Sequence, residues 1–214
     1  MTRVLVVEDH ELMRDLLVFG LGRVGLDVDG VSQLGGEEVM AQAGKYGPDV
    51  VLLDLHLGVG VTSVGMIGPL VATGARVLVL TAAADDVLLA RCLEAGAAGI
   101  FYKGQPLSDL VEVVRDAAVG ATVMESAARE ALLDALRQHR DARSGLESGL
   151  ASLSAREADV LAALMDGRSA DAIAQSQYVS LTTVRTHIRS ILRKLGVNSQ
   201  LAAVVLAQQA GWSR

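Results

Sequence analysis

Val50-Val51-Leu52-Leu53-Asp54-Leu55-His56-Leu57 decides how this chain is read: four consecutive apolar residues run directly into a carboxylate. Apolar residues at both odd and even positions of a strand mean that both its faces are covered, as in a parallel sheet flanked by helices. Reacting groups in such sheets collect beyond the carboxyl ends of the strands. Asp54 therefore stands where chemistry is expected rather than packing.

Outward from this stretch, apolar runs recur at residues 4–7, 77–80 and 98–102, with a weaker one at 26–31. Helix-compatible segments at 11–22, 35–45, 63–73, 85–96 and 107–119 separate or follow them. This alternation predicts right-handed βαβ crossovers, a parallel sheet and an α/β flavodoxin-like (βα)5 domain over residues 1–120. Within 125–140, Ala128, Leu132, Leu133 and Leu136 recur at helical spacing, whereas 141–152 is polar and glycine-punctuated. Residues 121–152 thus read as a linker helix followed by a flexible linker. Residues 153–214 show helical patterning only and form a small all-α domain.

Charge follows the same division. Residues 1–120 carry 8 cations against 16 carboxylates, while 153–214 carry 7 against 4. An acidic body with a basic tail suggests a polyanionic partner for the tail. The single cysteine, Cys92, excludes an intramolecular disulfide and suits a reducing compartment. The uncharged stretch 57–75 is interrupted by Gly58, Gly60, Gly65, Gly68, Pro69 and Gly74, so it reads as loop plus weak helix, not a membrane span. The first residues enter a strand at once and leave no room for a signal peptide, so the expected location is the cytoplasm.

If the first strand ends at Val7, then Glu8 and Asp9 project beside Asp54. Three converging carboxylates repel unless a cation neutralises them, and an all-oxygen cluster suits Mg2+. The fourth strand offers Thr81 at its tip, and Lys103 lies just past the fifth. Each residue alone reads better as a helix cap or a solvated charge. Together they fit phosphoryl transfer to a carboxylate, with Asp54 as nucleophile and a hydroxyl and an ammonium to hold the product.

In the basic tail, Ser180 to Gly196 reads as one helix with Ser180 as N-cap and Gly196 past the last turn. Val184, Ile188, Ile191, Leu192 and Leu195 share one face, while Arg185, Arg189 and Arg193 form an i, i+4 stripe beside Thr182 and Thr186. A short helix at 170–175 precedes it at helix-turn-helix spacing. The second helix of such a pair suits the major groove, where arginine bonds guanine edges or phosphates.

The segments Val6-Val7-Glu8-Asp9-His10, Val51 to Leu57, Val79-Leu80-Thr81-Ala82 and Glu94 to Gly99 followed by Lys103 resemble two-component response regulators of the NarL/FixJ type. Leu153-Ser154-Ala155-Arg156-Glu157 and Thr183 to Ile188 through Lys194-Leu195-Gly196-Val197 are similar to a LuxR-type DNA-binding domain. The resemblance implies that Asp54 is the phosphoacceptor of a sensor histidine kinase. It also implies that Glu8, Asp9, Asp54 and the main-chain carbonyl of His56 hold Mg2+, and that Thr81 and Lys103 sense the phosphoryl group. In the tail it implies a DNA-contacting set of Ser180, Thr182, Thr183, Val184, Arg185, Thr186, His187, Arg189 and Arg193, with residues 201–210 pairing a homodimer on double-stranded DNA. RNA polymerase is a further candidate partner.

The expected function is a phosphorylation-controlled transcriptional regulator, not an enzyme. Several positions depart from the family pattern: Ile100 where an aromatic residue is usual, Gly58 to Thr62 after the phosphoacceptor strand, Gln177 for a core leucine and Ala170 for an asparagine. The first two keep open a phosphorylation-independent DNA binder that uses its receiver as a dimerisation or interaction module. A haloacid-dehalogenase-like phosphatase is a remote alternative, since it needs a second Asp where this chain has His56.

Overall fold

Five strands, β1 (Arg3–Val7), β2 (Asp27–Val31), β3 (Val50–Asp54), β4 (Arg76–Thr81) and β5 (Gly99–Tyr102), pair in parallel in the order β2-β1-β3-β4-β5. They belong to a computed structural model that describes residues 1–32, 35–58, 63–82 and 85–214. Parallel neighbours need crossovers, supplied here by α1 (Glu11–Arg23), α2 (Gly36–Tyr46), α3 (Val64–Ala72) and α4 (Asp86–Glu94), with α5 (Leu107–Ala118) after β5.

Because successive strand side chains point to opposite faces, each apolar run feeds two cores. Leu5, Val7, Val51, Leu53, Val77 and Val79 pack with Val39, Ile67, Leu70 and Leu89 on one face. Val4, Val6, Val50, Leu52, Leu78 and Leu80 pack with Leu17, Leu21, Leu110 and Val114 on the other. This two-sided burial is the cause of the unbroken apolar text; each such side chain stabilises the fold by roughly 1.5–3 kcal/mol. The strand order turns back at β1, so the ends of β1 and β3 adjoin at the crevice where open α/β sheets place their sites.

The predicted weak helix near residues 63–73 is α3, nine residues long with Pro69 inside it. The glycine-rich loop expected before that helix lies mostly at residues 59–62, outside the described residues.

The predicted flexible linker is not observed. α6 runs unbroken from Ser126 to Ala151, through the boundary between the two compact units, residues 1–137 and 138–214. In the first unit, Leu132 and Leu133 pack against the core beneath α4, and the Arg129 guanidinium donates to the carbonyls of Leu93 and Ala97, each at 3.4 Å. In the second, Leu146 and Leu150 join the helical core, and Arg143 pairs with Glu147 at 2.9 Å. Glycine inside a helix costs about 1 kcal/mol, which is why Gly145 and Gly149 suggested a linker. At Gly149 the reason is close packing: an added Cβ would lie 2.4 Å from the Lys194 carbonyl oxygen.

The second unit continues with α7 (Ala155–Met165), α8 (Ala170–Ser176), α9 (Leu181–Leu195) and α10 (Gln200–Gln209). Each begins on a serine, Ser154, Ser169, Ser180 or Ser199, whose hydroxyl accepts a main-chain N–H of the first turn. α9 stops at Gly196, whose φ of 67° is left-handed. Among the described residues no helix is long and apolar enough to cross a membrane.

Candidate functional site

The tips of β1 and β3 bring Glu8, Asp9 and Asp54 together, and the turn after β5 brings Lys103 to them. Glu8 and Asp54 are buried, so their charges need compensation. Lys103 Nζ supplies part of it, 2.7 Å from Glu8 Oε2 and 3.1 Å from Asp54 Oδ2. Burial works against the Lys103 charge, but its hydrogen bonds to Glu8 and Asp54 and their negative charges prevail and raise its pKa above the ordinary lysine value. Asp9 Oδ2 accepts the Gly58 N–H at 2.9 Å. Burial disfavours the charged form of Asp9, yet this N–H and the neighbouring His10 hold its pKa below the usual value.

The His56 N–H donates to Asp54 Oδ1 at 3.3 Å, which fixes that peptide beside the candidate nucleophile. Thr81 is fully buried at the end of β4, and its hydroxyl has no hydrogen-bond partner among the described residues. Lys103 alone does not balance three carboxylates. Glu8, Asp9, His10 and Asp54 each offer one ligand atom, all within 4.8 Å of one another. Hard oxygen donors at this separation fit a magnesium ion.

His10 was quoted in the sequence motif without a role. Its Nδ1 lies 3.2 Å from Glu8 Oε1 and 2.9 Å from Asp9 Oδ1. The hydrogen bond to Glu8, then the Asp9 charge, raise its pKa above the usual histidine value.

In the second unit α9 separates two faces. Val184, Ile188, Ile191 and Leu195 are buried in the core, while Thr182, Thr183, Arg185, Thr186, Arg189 and Arg193 are exposed and His187 is half-buried. Contrary to its expected place among the DNA contacts, Val184 has no exposed surface: it packs in the core and cannot reach a partner. Ser180 caps the helix through the Thr183 N–H at 3.0 Å and also bonds the Thr183 hydroxyl at 2.8 Å.

The profile of the response regulator receiver domain matches residues 4–115, and that of the bacterial regulatory proteins of the luxR family matches residues 151–207. The chain belongs to the response regulators. It is 34% identical to a nitrate/nitrite response regulator protein homolog of Haemophilus influenzae over 95% of each chain. It is 33% identical to the nitrate/nitrite response regulator NarP of Escherichia coli, covering 98% of this chain and 96% of that one. A solved structure of ChrA, the response regulator of a heme-sensing two-component system, is similar with a TM-score of 0.52 and 29% identity over 97% of this chain and 96% of that one.

As a response regulator with a LuxR-type domain, the protein belongs to a family of DNA-binding transcriptional regulators, not of classical enzymes. Ile100 is half-buried against the core shared by α3 and α4. Gln177 is half-exposed and reaches water, so it needs no buried polar partner. A pair that sequence reading missed is Glu157–Lys194, at 2.7 Å, which ties α7 to α9. Its signal was the Ser154-x-x-Glu157 capping box, which the structure forms in full.

Proposed function

We propose that this response regulator receives a phosphoryl group on Asp54 from a partner histidine kinase in the cytoplasm and, so modified, controls transcription by binding DNA as a dimer. The observation that carries the reading is the Asp54 carboxylate itself, buried at a strand tip with the Lys103 ammonium against it and Glu8 and Asp9 beside it. One Asp54 oxygen attacks phosphorus as the bond to the donor nitrogen breaks, giving an aspartyl phosphate. Glu8, Asp9, Asp54 and the His56 carbonyl would hold a magnesium ion, which would supply positive charge against the developing oxygen charge.

The product adds a charge of about −1.5 to −2 to the pocket. Lys103 then pairs with a phosphoryl oxygen, and the buried Thr81 hydroxyl donates to another. Thr81 ends β4 and Lys103 follows the end of β5, so their movement pulls on the segments leading into α4 and α5. In the output domain Arg185, Arg189 and Arg193 supply charge, and Ser180, Thr182, Thr183, Thr186 and His187 supply hydrogen-bonding groups at the groove. α10 leaves Leu201 exposed while burying Ala203 and Ala207, as a helix that pairs two domains would. RNA polymerase remains a candidate downstream partner.

Mg2+-dependent labelling by a small phosphodonor tests the first step: wild type is labelled and Asp54→Ala is not. Unlabelled wild type would sink the proposal. The second reading, phosphorylation-independent DNA binding, draws on Ile100, whose aliphatic side chain offers no aromatic rotamer switch. It predicts a labelled protein whose DNA affinity does not change.

A further inference from the structure

The turn between α8 and α9 holds an unusual residue. Tyr178 has φ 54°, and it is the only non-glycine residue with positive φ among those described. A left-handed backbone is unfavourable for a bulky aromatic, and glycine or asparagine serves when conformation alone is needed. Packing does not explain the choice either, since Tyr178 is 97% exposed in a chain with only six aromatic residues. Neighbouring Val179 is also exposed, at 38%. The turn itself is held by main-chain bonds, from Tyr178 N–H to the Gln175 carbonyl at 3.4 Å and from Val179 N–H to the Ala174 carbonyl at 3.1 Å. The side chain is therefore free to serve something outside the domain.

Its position says what. Tyr178 lies two residues before Ser180, the N-cap of α9, at the end of the helix that carries Thr182, Thr183 and Arg185. In a helix-turn-helix the N-terminal residues of the second helix contact base edges in the major groove while the first helix crosses the backbone, which brings the turn between them close to the phosphates. Tyrosine hydroxyls are common donors to phosphate oxygens, and main-chain N–H groups at a helix start favour the same anion. We propose that Tyr178 is a DNA-backbone contact whose hydroxyl donates a hydrogen bond to a phosphate oxygen beside the groove that α9 occupies. The proposal rests on the DNA-binding reading above. It extends that interface to a residue the recognition helix does not contain and assigns it an anchoring role without base preference.

The test is fluorescence anisotropy of a labelled random-sequence duplex titrated with the full chain, treated with Mg2+ and acetyl phosphate. Wild type, Tyr178→Phe, Tyr178→Gly and Arg185→Ala are compared. Tyr178→Phe and Tyr178→Gly are each expected to weaken binding about tenfold, the worth of a hydrogen bond to a charged oxygen. Neither changes the salt dependence, because no charge is lost, whereas Arg185→Ala lowers the slope of log affinity against log salt by about one. Tyr178→Gly also keeps or raises the urea midpoint read by Trp212 fluorescence, because glycine accepts the left-handed backbone.

Affinities of both Tyr178 variants within about twofold of wild type, alongside weakened Arg185→Ala, overturn the Tyr178 contact and leave the DNA-binding reading standing. Loss confined to Tyr178→Gly overturns the hydroxyl assignment. Absence of DNA binding by wild type, or binding indifferent to Arg185, overturns both readings.

Discussion

Replacing Glu157 by Gln weakens the C-terminal unit by an amount that depends on pH. The Glu157 carboxylate is 5% exposed and accepts from Lys194 Nζ at 2.7 Å, while the same ammonium donates to the Ser152 carbonyl at 2.7 Å. Lys194 first, and Ser190 after it, pull the Glu157 pKa from 4.5 to about 2. A carboxyl with a depressed folded-state pKa is protonated more readily in the unfolded chain. The stability it contributes is complete above pH 4.5 and is lost as pH falls through about 2.

Converted at the usual rate, the shift amounts to roughly 3 kcal/mol near pH 7 and about half that or less near pH 3. An exposed pair would contribute only ~0–1 kcal/mol, so the burial of Glu157 decides which magnitude applies. Gln retains an oxygen for the Ser154 N–H, which Glu157 now accepts at 2.7 Å, so the substitution removes the charge and spares the cap. Trp212, the only tryptophan, packs against this core and reports its unfolding in urea. The expected gap between wild type and Glu157→Gln is about 2–3 kcal/mol near pH 7, and it should fall by about half near pH 3. A gap below about 1 kcal/mol near neutrality, or one that does not shrink in acid, would refute the reasoning.

Three further outcomes follow from particular contacts. Lys103→Ala leaves Glu8 and Asp54 uncompensated and destabilises the ion-free receiver by about 3 kcal/mol; Mg2+ should then raise its melting temperature more than that of wild type, and equal rises would count against the pocket's charge balance. Gly149→Ala should cost about 1–3 kcal/mol despite alanine's higher helix propensity, because its methyl group meets the Lys194 carbonyl; an increase in the urea midpoint contradicts this. Burial pushes the Cys92 thiol up to about 11, so a water-soluble disulfide reagent should label it in urea and leave the native chain unmodified; stoichiometric native labelling would show the site to be open.

Much of this protein is written locally. A strand covered on both faces must be apolar at every position, so Val50 to Leu53 announced a parallel sheet, and the polar residues at four of its five strand ends announced the rim where Glu8, Asp9, Asp54 and Lys103 come together. The arginine stripe of α9 and its serine cap are properties of a single helix and were equally legible. Residues 141–152 were misread because their reason for being helical is not local. Leu146 and Leu150 are too sparse to show a period, and Gly149 is a weak helix former until the α9 carbonyl it accommodates is known. Val184 was counted among the DNA contacts although its helical spacing already placed it on the packing face.

What the sequence determined by itself was therefore the alternation of elements, the class of each domain and the chemical identity of the pocket, because periodicity and residue type act over a few neighbours. The tertiary structure decided which groups share a charge. It placed one ammonium between Glu8 and Asp54, His10 against Glu8 and Asp9, and Lys194 against Glu157. These pairings join residues up to 95 positions apart, and such distances close only when the sheet and the helical core have formed.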